Sequence, residues 1–148
     1  MTYQTASSTI VASTKVLFTK TNHSGSLSLN DYVDLDTSPI FSNLTGSTIN
    51  SDNIVLSGGN YLIECCIAID NSNNPIANYV NFNIEIDGTL GNSPGSSIQD
   101  NKVGIDMAVV TLDVAPTATS TVKFKITNVG GTCEIADDYS FIRILQVK

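Results

Sequence analysis

The sequence has no tryptophan and a single histidine, and only seven of its 148 residues are lysine or arginine. Each shortage argues against a class of function. His23 sits alone in the turn-like run Asn22-His23-Ser24-Gly25-Ser26, so it has no second imidazole with which to build a metal site. Serines and aspartates abound, but nothing marks any of them as the nucleophile or orienting acid of a catalytic triad. His23 is therefore expected to be a surface turn residue. The basic residues are scattered singly from Lys15 to Lys148 and the net charge is −7. No basic stripe is available to neutralise phosphates, which argues against nucleic acid as a partner. Charged residues make up 14% of the chain, against about 25% in ordinary soluble domains. Serine, threonine and asparagine supply the polarity instead.

Cysteine is also scarce, and its count of three is odd. Cys65 and Cys66 are adjacent, so on a strand they point to opposite faces and would bridge each other only with strain. Buried thiols outside any disulfide are the expectation. No apolar run approaches the roughly 20 residues needed to cross a bilayer. Met1 to Ser13 lacks the charged start and apolar segment of an export signal, so no membrane is expected and synthesis in a cytoplasm is. Without export, the tripeptides Asn22-His23-Ser24 and Asn43-Leu44-Thr45 match the glycosylation pattern by chance.

The acidic residues do not compensate for these absences. Asp34 and Asp36 share a face, Asp137 and Asp138 are neighbours, and Asp70 heads the run Asn71-Ser72-Asn73-Asn74-Pro75. A calcium site needs about six to eight oxygens, and the Asp70 loop has neither the central Gly nor the terminal Glu of the helix-loop-helix calcium pattern. Turn chemistry accounts for these residues better. Gly58-Gly59 leads into a strand rather than a helix, so it is no phosphate cradle. No catalytic residue, metal or cofactor is expected, and the chain is not expected to be an enzyme.

Strand periodicity is what the sequence does contain. At 148 residues the chain is long enough to bury about 70% of its unfolded surface as one domain. Met1 to Ser13 reads as an arm that could not offset its own ordering entropy without a partner, and residues 14–148 as the domain. Lys15 to Lys20 is a short strand. Leu27 and Leu29, then Val33 and Leu35, alternate with polar residues as two further candidates. Ile40, Phe41 and Leu44 fall in a loop, and Ile49 to Leu56 leads to the glycine pair. From there Gly58 to Asp70 is apolar on both faces. Tyr61, Ile63, Cys65, Ile67 and Ile69 form one face, and Leu62, Cys66 and Ala68 the other.

Val80 to Asp87 alternates without an error and Gly88 ends it. Thr89 to Lys102 is a long loop rich in Gly and Ser. In Val103 to Val114 the apolar positions change parity at Val109-Val110, which predicts a bulge or the meeting of two strands. Ala115 to Ser120 is a predicted turn, Val122 to Ile126 another strand, and Tyr139 to Val147 a closing strand that is apolar on both faces apart from Arg143. These eight to ten runs, with no apolar spacing of helical period, predict an all-β fold, best as a two-sheet antiparallel jelly-roll sandwich. The two-sided strands need cover that one sheet cannot provide. That requirement predicts a homo-oligomer with Leu62, Cys66, Ala68, Phe141, Leu145 and Val147 at the subunit interface.

Several of these motifs together resemble a known family. Gly59-Asn60-Tyr61-Leu62-Ile63, the Val80 to Gly88 strand ending in Asp-Gly, the Val122 to Ile126 strand and Asp138-Tyr139-Ser140-Phe141-Ile142 resemble the trimeric jelly-roll heads of the tumour necrosis factor and complement-head type. Such heads also occur in bacteriophage virions, on tail needles, fibre tips and capsid surfaces. The resemblance spans roughly residues 54–147, and it implies a homotrimer with the closing strands near the three-fold axis.

The low-charge composition fits a virion protein made in a host bacterial cytoplasm. A capsid decoration, or cement, protein that binds the major capsid protein is expected, because the short leader offers no stalk for a tail tip. Its arm, through Tyr3, Ile10 and Val11, would lie along the shell, an added strand being one mode of binding. The alternatives are a receptor-binding head of a tail fibre or needle, and a carbohydrate-binding module. The latter would set glycan against Tyr79 or Tyr139 and the Thr89 to Lys102 loop, although sugar platforms favour the missing tryptophan.

Overall fold

The structure, a computed structural model, describes residues 15–70, 79–91 and 104–147. Nine strands and one short 3-10 turn make up this part of the chain. In order they are β1 (Lys15–Lys20), β2 (Phe41–Ser42), β3 (Thr48–Ile49), β4 (Ile54–Asp70), β5 (Tyr79–Ile86), β6 (Thr89–Leu90), β7 (Gly104–Gly130), β8 (Glu134–Ile135), the 3-10 turn Asp137–Tyr139, and β9 (Phe141–Val147). All pairings are antiparallel, and the hydrogen-bonded order is β2-β1-β9-β4-β7-β5-β6, with β3 and β8 also paired to β4.

The predicted two sheets are two layers of this one path. β4 and β7 are long enough to run through both layers, pairing from Ile69↔Gly104 to Ile54↔Val122. They bend together where the register shifts between Ser57 and Gly59. On one side of the bend, β1, β9, the second part of β4 and the first part of β7 form a four-stranded layer. On the other side, β7 continues against β5, and β5 in turn pairs with β6. Gly58 makes the bend possible, because a Cβ there would lie 2.5 Å from Pro116 Cα and 2.6 Å from Ala115 O, both backbone atoms. Tyr61, fully buried, ties the corner by donating from its hydroxyl to Ser57 O at 2.7 Å.

Three sequence expectations change here. The glycine pair does not open a strand but lies inside β4, and Ala115 to Ser120 is no turn but part of β7. Both runs combine turn formers with a need to bend, and paired bending satisfies the backbone ladder better than termination does. Neither a bulge nor a junction of two strands exists at Val109-Val110, which lie within the single strand β7. Ile63↔Val110 and Glu64↔Val109 are consecutive pairs in one unbroken register. The parity change instead marks where apolar residues move from one face of β7 to the other.

One core fills the space between the layers. Leu17, Ile63, Ile67, Ile142 and Ile144 meet Phe82, Ile84, Val122, Phe124 and Ile126 across it. Burying each such side chain stabilises the fold by about 1.5–3 kcal/mol before entropy is set against it. Leu27, Val33 and Leu35 point into the same core. Their segment makes only isolated bridges, Ser26↔Glu134, Tyr32↔Lys125 and Thr21↔Leu35, where two strands were expected. The tight turn after β5 uses Asp87 and Gly88 at φ +50° and +79°, the left-handed pair suited to a two-residue hairpin. Phe41 belongs to edge strand β2 rather than a loop, and Tyr139 lies in the 3-10 turn rather than in the closing strand.

Candidate functional site

The outward face of the four-stranded layer is the candidate site, and its composition follows from strand parity. In β4 the inward positions are Tyr61, Ile63, Cys65, Ile67 and Ile69, all buried, as the period-two reading requires. The intervening positions therefore face out, and cross-strand register assembles them into rows. One row runs Phe41, Phe18, Arg143, Glu64, Val109. The next runs Val16, Leu145, Leu62, Thr111. Phe141 sits beside Cys66 and Lys20, with its ring centroid 5.4 Å from that of Phe18 in a tilted aromatic pair. Val109 is 49% exposed, and Val147 and Phe41 are also among the exposed large apolar residues. Such an apolar face is uncommon on a finished surface, which makes it the candidate site.

A charged pair occupies the middle of this face. Arg143 Nε donates to Glu64 Oε2 directly across the β4–β9 pairing. The carboxylate holds the guanidinium pKa above its ordinary value, hydrogen bonding being the main cause. The arginine side chain is 48% exposed and the glutamate 16%. At the margins, Lys20 reaches Asp138 at 3.4 Å and Asp113 is exposed.

The sequence-predicted interface residues divide into two groups. Leu62, Phe141, Leu145 and Val147 all keep accessible surface on this face. Cys66 and Ala68 do not: Ala68 is 0% exposed and Cys66 5%. Ala68 is covered from within the chain, because its N–H donates to Ser140 Oγ at 2.8 Å and its carbonyl accepts from Ala136 N–H at 2.8 Å. It therefore has no surface left to offer a partner. Phe18 and Phe41, missed by sequence reading, join the face through register alone. The arm residues Tyr3, Ile10 and Val11 lie outside the described residues, as do most of the Thr89 to Lys102 loop and the Asn-rich run after Asp70. Tyr139 is an exposed residue of the 3-10 turn.

The opposite outward face, over β5 and β7, has a different chemistry. Tyr32 donates to both oxygens of Glu85, at 3.1 and 3.3 Å, and Lys125 lies 3.7 Å from the same carboxylate. Lys123 pairs with Asp52 at 2.8 Å and sits 4.5 Å from the centre of the Tyr32 ring. Through that bond Lys123 lowers the Asp52 pKa, and Asp52 raises that of Lys123. This network pins the segment around Tyr32 to β7.

The histidine is not the surface residue expected. Its side chain is 8% exposed, with Nδ1 3.1 Å from Asp34 Oδ2 and 3.3 Å from the Asp34 amide, while its own N–H donates to Asp137. The surrounding turn folds back on Asp34, which a sequence cannot reveal. The three cysteines are buried and form no disulfide, and burial pushes the Cys133 thiol up. Among the described residues no group of three or more His, Cys, Asp or Glu is placed to hold a metal ion. A cleft of about 340 Å³ beside β2 and β3 is lined by hydroxyls, Thr37, Ser42, Ser47 and Thr48, over Leu17 and Leu44, and has no titratable group.

No protein-family model matches the sequence, and no curated protein matches it. Solved structures do resemble the fold. A crystal structure of murine APRIL at pH 5.0 superposes with a TM-score of 0.61 at 10% identity, over 90% of this chain and 99% of that one. A second, at pH 8.5, gives 0.57 at 12% identity over the same shares. At 10% and 12% identity the likeness is one of fold: the chain is an antiparallel sandwich with the jelly-roll architecture of the trimeric tumour-necrosis-factor-type heads.

Proposed function

We propose that the protein is a homotrimeric bacteriophage virion protein that decorates the capsid and binds the major capsid protein from outside as a cement. The observation that carries the trimer is the outward apolar face of the β1-β9-β4-β7 layer, where cross-strand register gathers Phe18, Leu62, Phe141 and Leu145. Leaving such a face in water forgoes burial worth roughly 25 cal/mol per Å². A second and third copy of the same face supply cover of matching shape.

The virion role draws its support from two features. The strand motifs resemble the heads that bacteriophages carry on their surfaces, and the Ser-, Thr- and Asn-rich composition with 14% charge suits a surface that makes many neutral contacts with a shell. Three copies would sit over a junction between capsomers and share their buried area among several subunits, resisting internal pressure. The role is structural, with no reaction and no cofactor.

Two measurements test this in sequence. Light scattering on the purified chain is expected to give three times the chain mass of 15.7 kDa; a monomer at every concentration removes the trimer. Quantitative mass spectrometry of virions is expected to find hundreds of copies per particle. A handful of copies would place the protein on the tail, as a fibre or needle head, and overturn the capsid role.

A further inference from the structure

We infer that Glu64 and Arg143 are the specificity element of self-association: each Arg143, anchored through Nε on its own Glu64, gives its Nη groups to the Glu64 of the next copy, closing a ring of alternating charges at the centre of the apolar face. The inference rests on the trimeric reading above and adds to it which residues decide copy number and register.

Arginine carries five N–H donors in a fixed fork. Among the described residues, Arg143 uses only Nε, toward Glu64 Oε2, and Glu64 Oε1 has no partner. At 48% side-chain exposure, water serves the remaining donors in the single chain. Covering the face with Phe18, Leu62 and Leu145 of other copies removes that water. Four N–H groups and one carboxylate oxygen then need partners, or each costs its full desolvation.

Position and charge narrow the choice of partner. Arg143 and Glu64 pair across β9 and β4, the two inner strands of the layer. An acceptor on a second copy of the same face must therefore come from its centre. The described acids here are Glu64, Asp113 and Asp138; Asp113 lies toward the end of the layer, paired with Asn60, and Asp138 at the margin beside Lys20. Glu64 is the central one. With its margin the face carries Lys20 and Arg143 against Glu64, Asp113 and Asp138, a net of −1, whereas the chain carries a net charge of −7. Self-association is thus nearly free of like-charge repulsion on this face and opposed by it elsewhere.

A head-to-tail contact of this kind, Arg143 of one copy onto Glu64 of the next, is satisfied at every member only when the rotation closes. An open array leaves a buried guanidinium at one end and a buried carboxylate at the other. The ring therefore favours a closed assembly and penalises apolar partners that lack the matching charge, while adding little net affinity over a hydrophobic isostere.

The test compares single changes with the charge swap in the full chain, by sedimentation and native mass spectrometry, with circular dichroism to follow the fold. Arg143→Glu is expected to weaken assembly by about 100-fold or more, and Arg143→Gln by about 30-fold, in line with truncating one member of a buried charged pair. The double change Glu64→Arg with Arg143→Glu is expected to recover assembly to within about tenfold of the original. Should Arg143→Glu fail to melt cooperatively, Arg143→Gln decides.

A trimeric unmodified chain whose Arg143→Gln and Arg143→Glu variants assemble equally well overturns the ring and leaves the trimer standing. Failure of the swap to recover assembly overturns the pairing. An unmodified chain that stays monomeric overturns the trimer itself, and the ring with it.

Discussion

The two outward faces of the sandwich solve the same problem differently. Over β5 and β7, Tyr32, Glu85, Lys123, Lys125 and Asp52 pair with one another within the chain. Over β1, β9, β4 and β7, Phe18, Phe141, Leu62, Leu145 and Val109 stand around one ion pair whose hydrogen-bonding capacity is only partly used. A strand that is apolar on both sides can mean a core or an interface, and the two sides of β4 differ in how they are covered. The inward side is closed by the second layer. The outward side is closed only partly, by the segment around Ser140.

Mutations that touch one face and not the other break this comparison, and the largest effect belongs to the core that both faces share. Phe124→Ala, at a fully buried position, is expected to destabilise the chain by about 3–5 kcal/mol in urea unfolding, whatever its assembly state. Leu145→Asp sits on the apolar face, opposite Val16 and Leu62. It is expected to weaken assembly by about 100-fold in sedimentation, while the monomer still unfolds cooperatively. Equal loss of both properties would mean that the face is part of the chain's own core.

Smaller effects sharpen the contrast from the polar side. Tyr32→Phe leaves the largely buried Glu85 carboxylate with only the more distant Lys125. A cost of about 1–2 kcal/mol is expected in thermal unfolding, with the oligomer's mass unchanged. Asp52 gives the smallest change. Its pairing with Lys123 depresses its pKa in the folded state, so its contribution is complete above the unfolded carboxylate value of about 4 and is lost as pH falls through the lower folded value. Because the pair is partly exposed, the contribution should stay below about 1 kcal/mol. Asp52→Asn is expected to flatten the acid side of the stability–pH curve by that amount. An unchanged acid limb would assign the slope to other carboxylates.

Legibility from sequence followed the physics of each signal. The alternation in Val80 to Asp87 and Val122 to Ile126 is local, and both runs are strands with the expected faces buried. The bend at Gly58 was not legible, because its cause is the approach of Pro116, 58 residues further along the chain. For the same reason Gly58-Gly59 and Ala115 to Ser120 read as punctuation when each is half of a paired corner. Leu62 and Leu145 could be named as outward positions from parity alone. That Ala68 is covered by Ser140 while Val109 is not depends on where the 3-10 turn lands.

Period-two patterning, the scarcity of charge and the two-sided apolar strands by themselves determined an all-β sandwich with strands apolar on both faces. Those signals lie within single strands, where the backbone geometry that reads them is local. Tertiary structure alone decided which apolar positions remain exposed, that Arg143 faces Glu64 in their midst, and that Tyr32 and two lysines complete the other side. These depend on register between strands far apart in sequence, and register is set by the fit of the whole core rather than by any one strand.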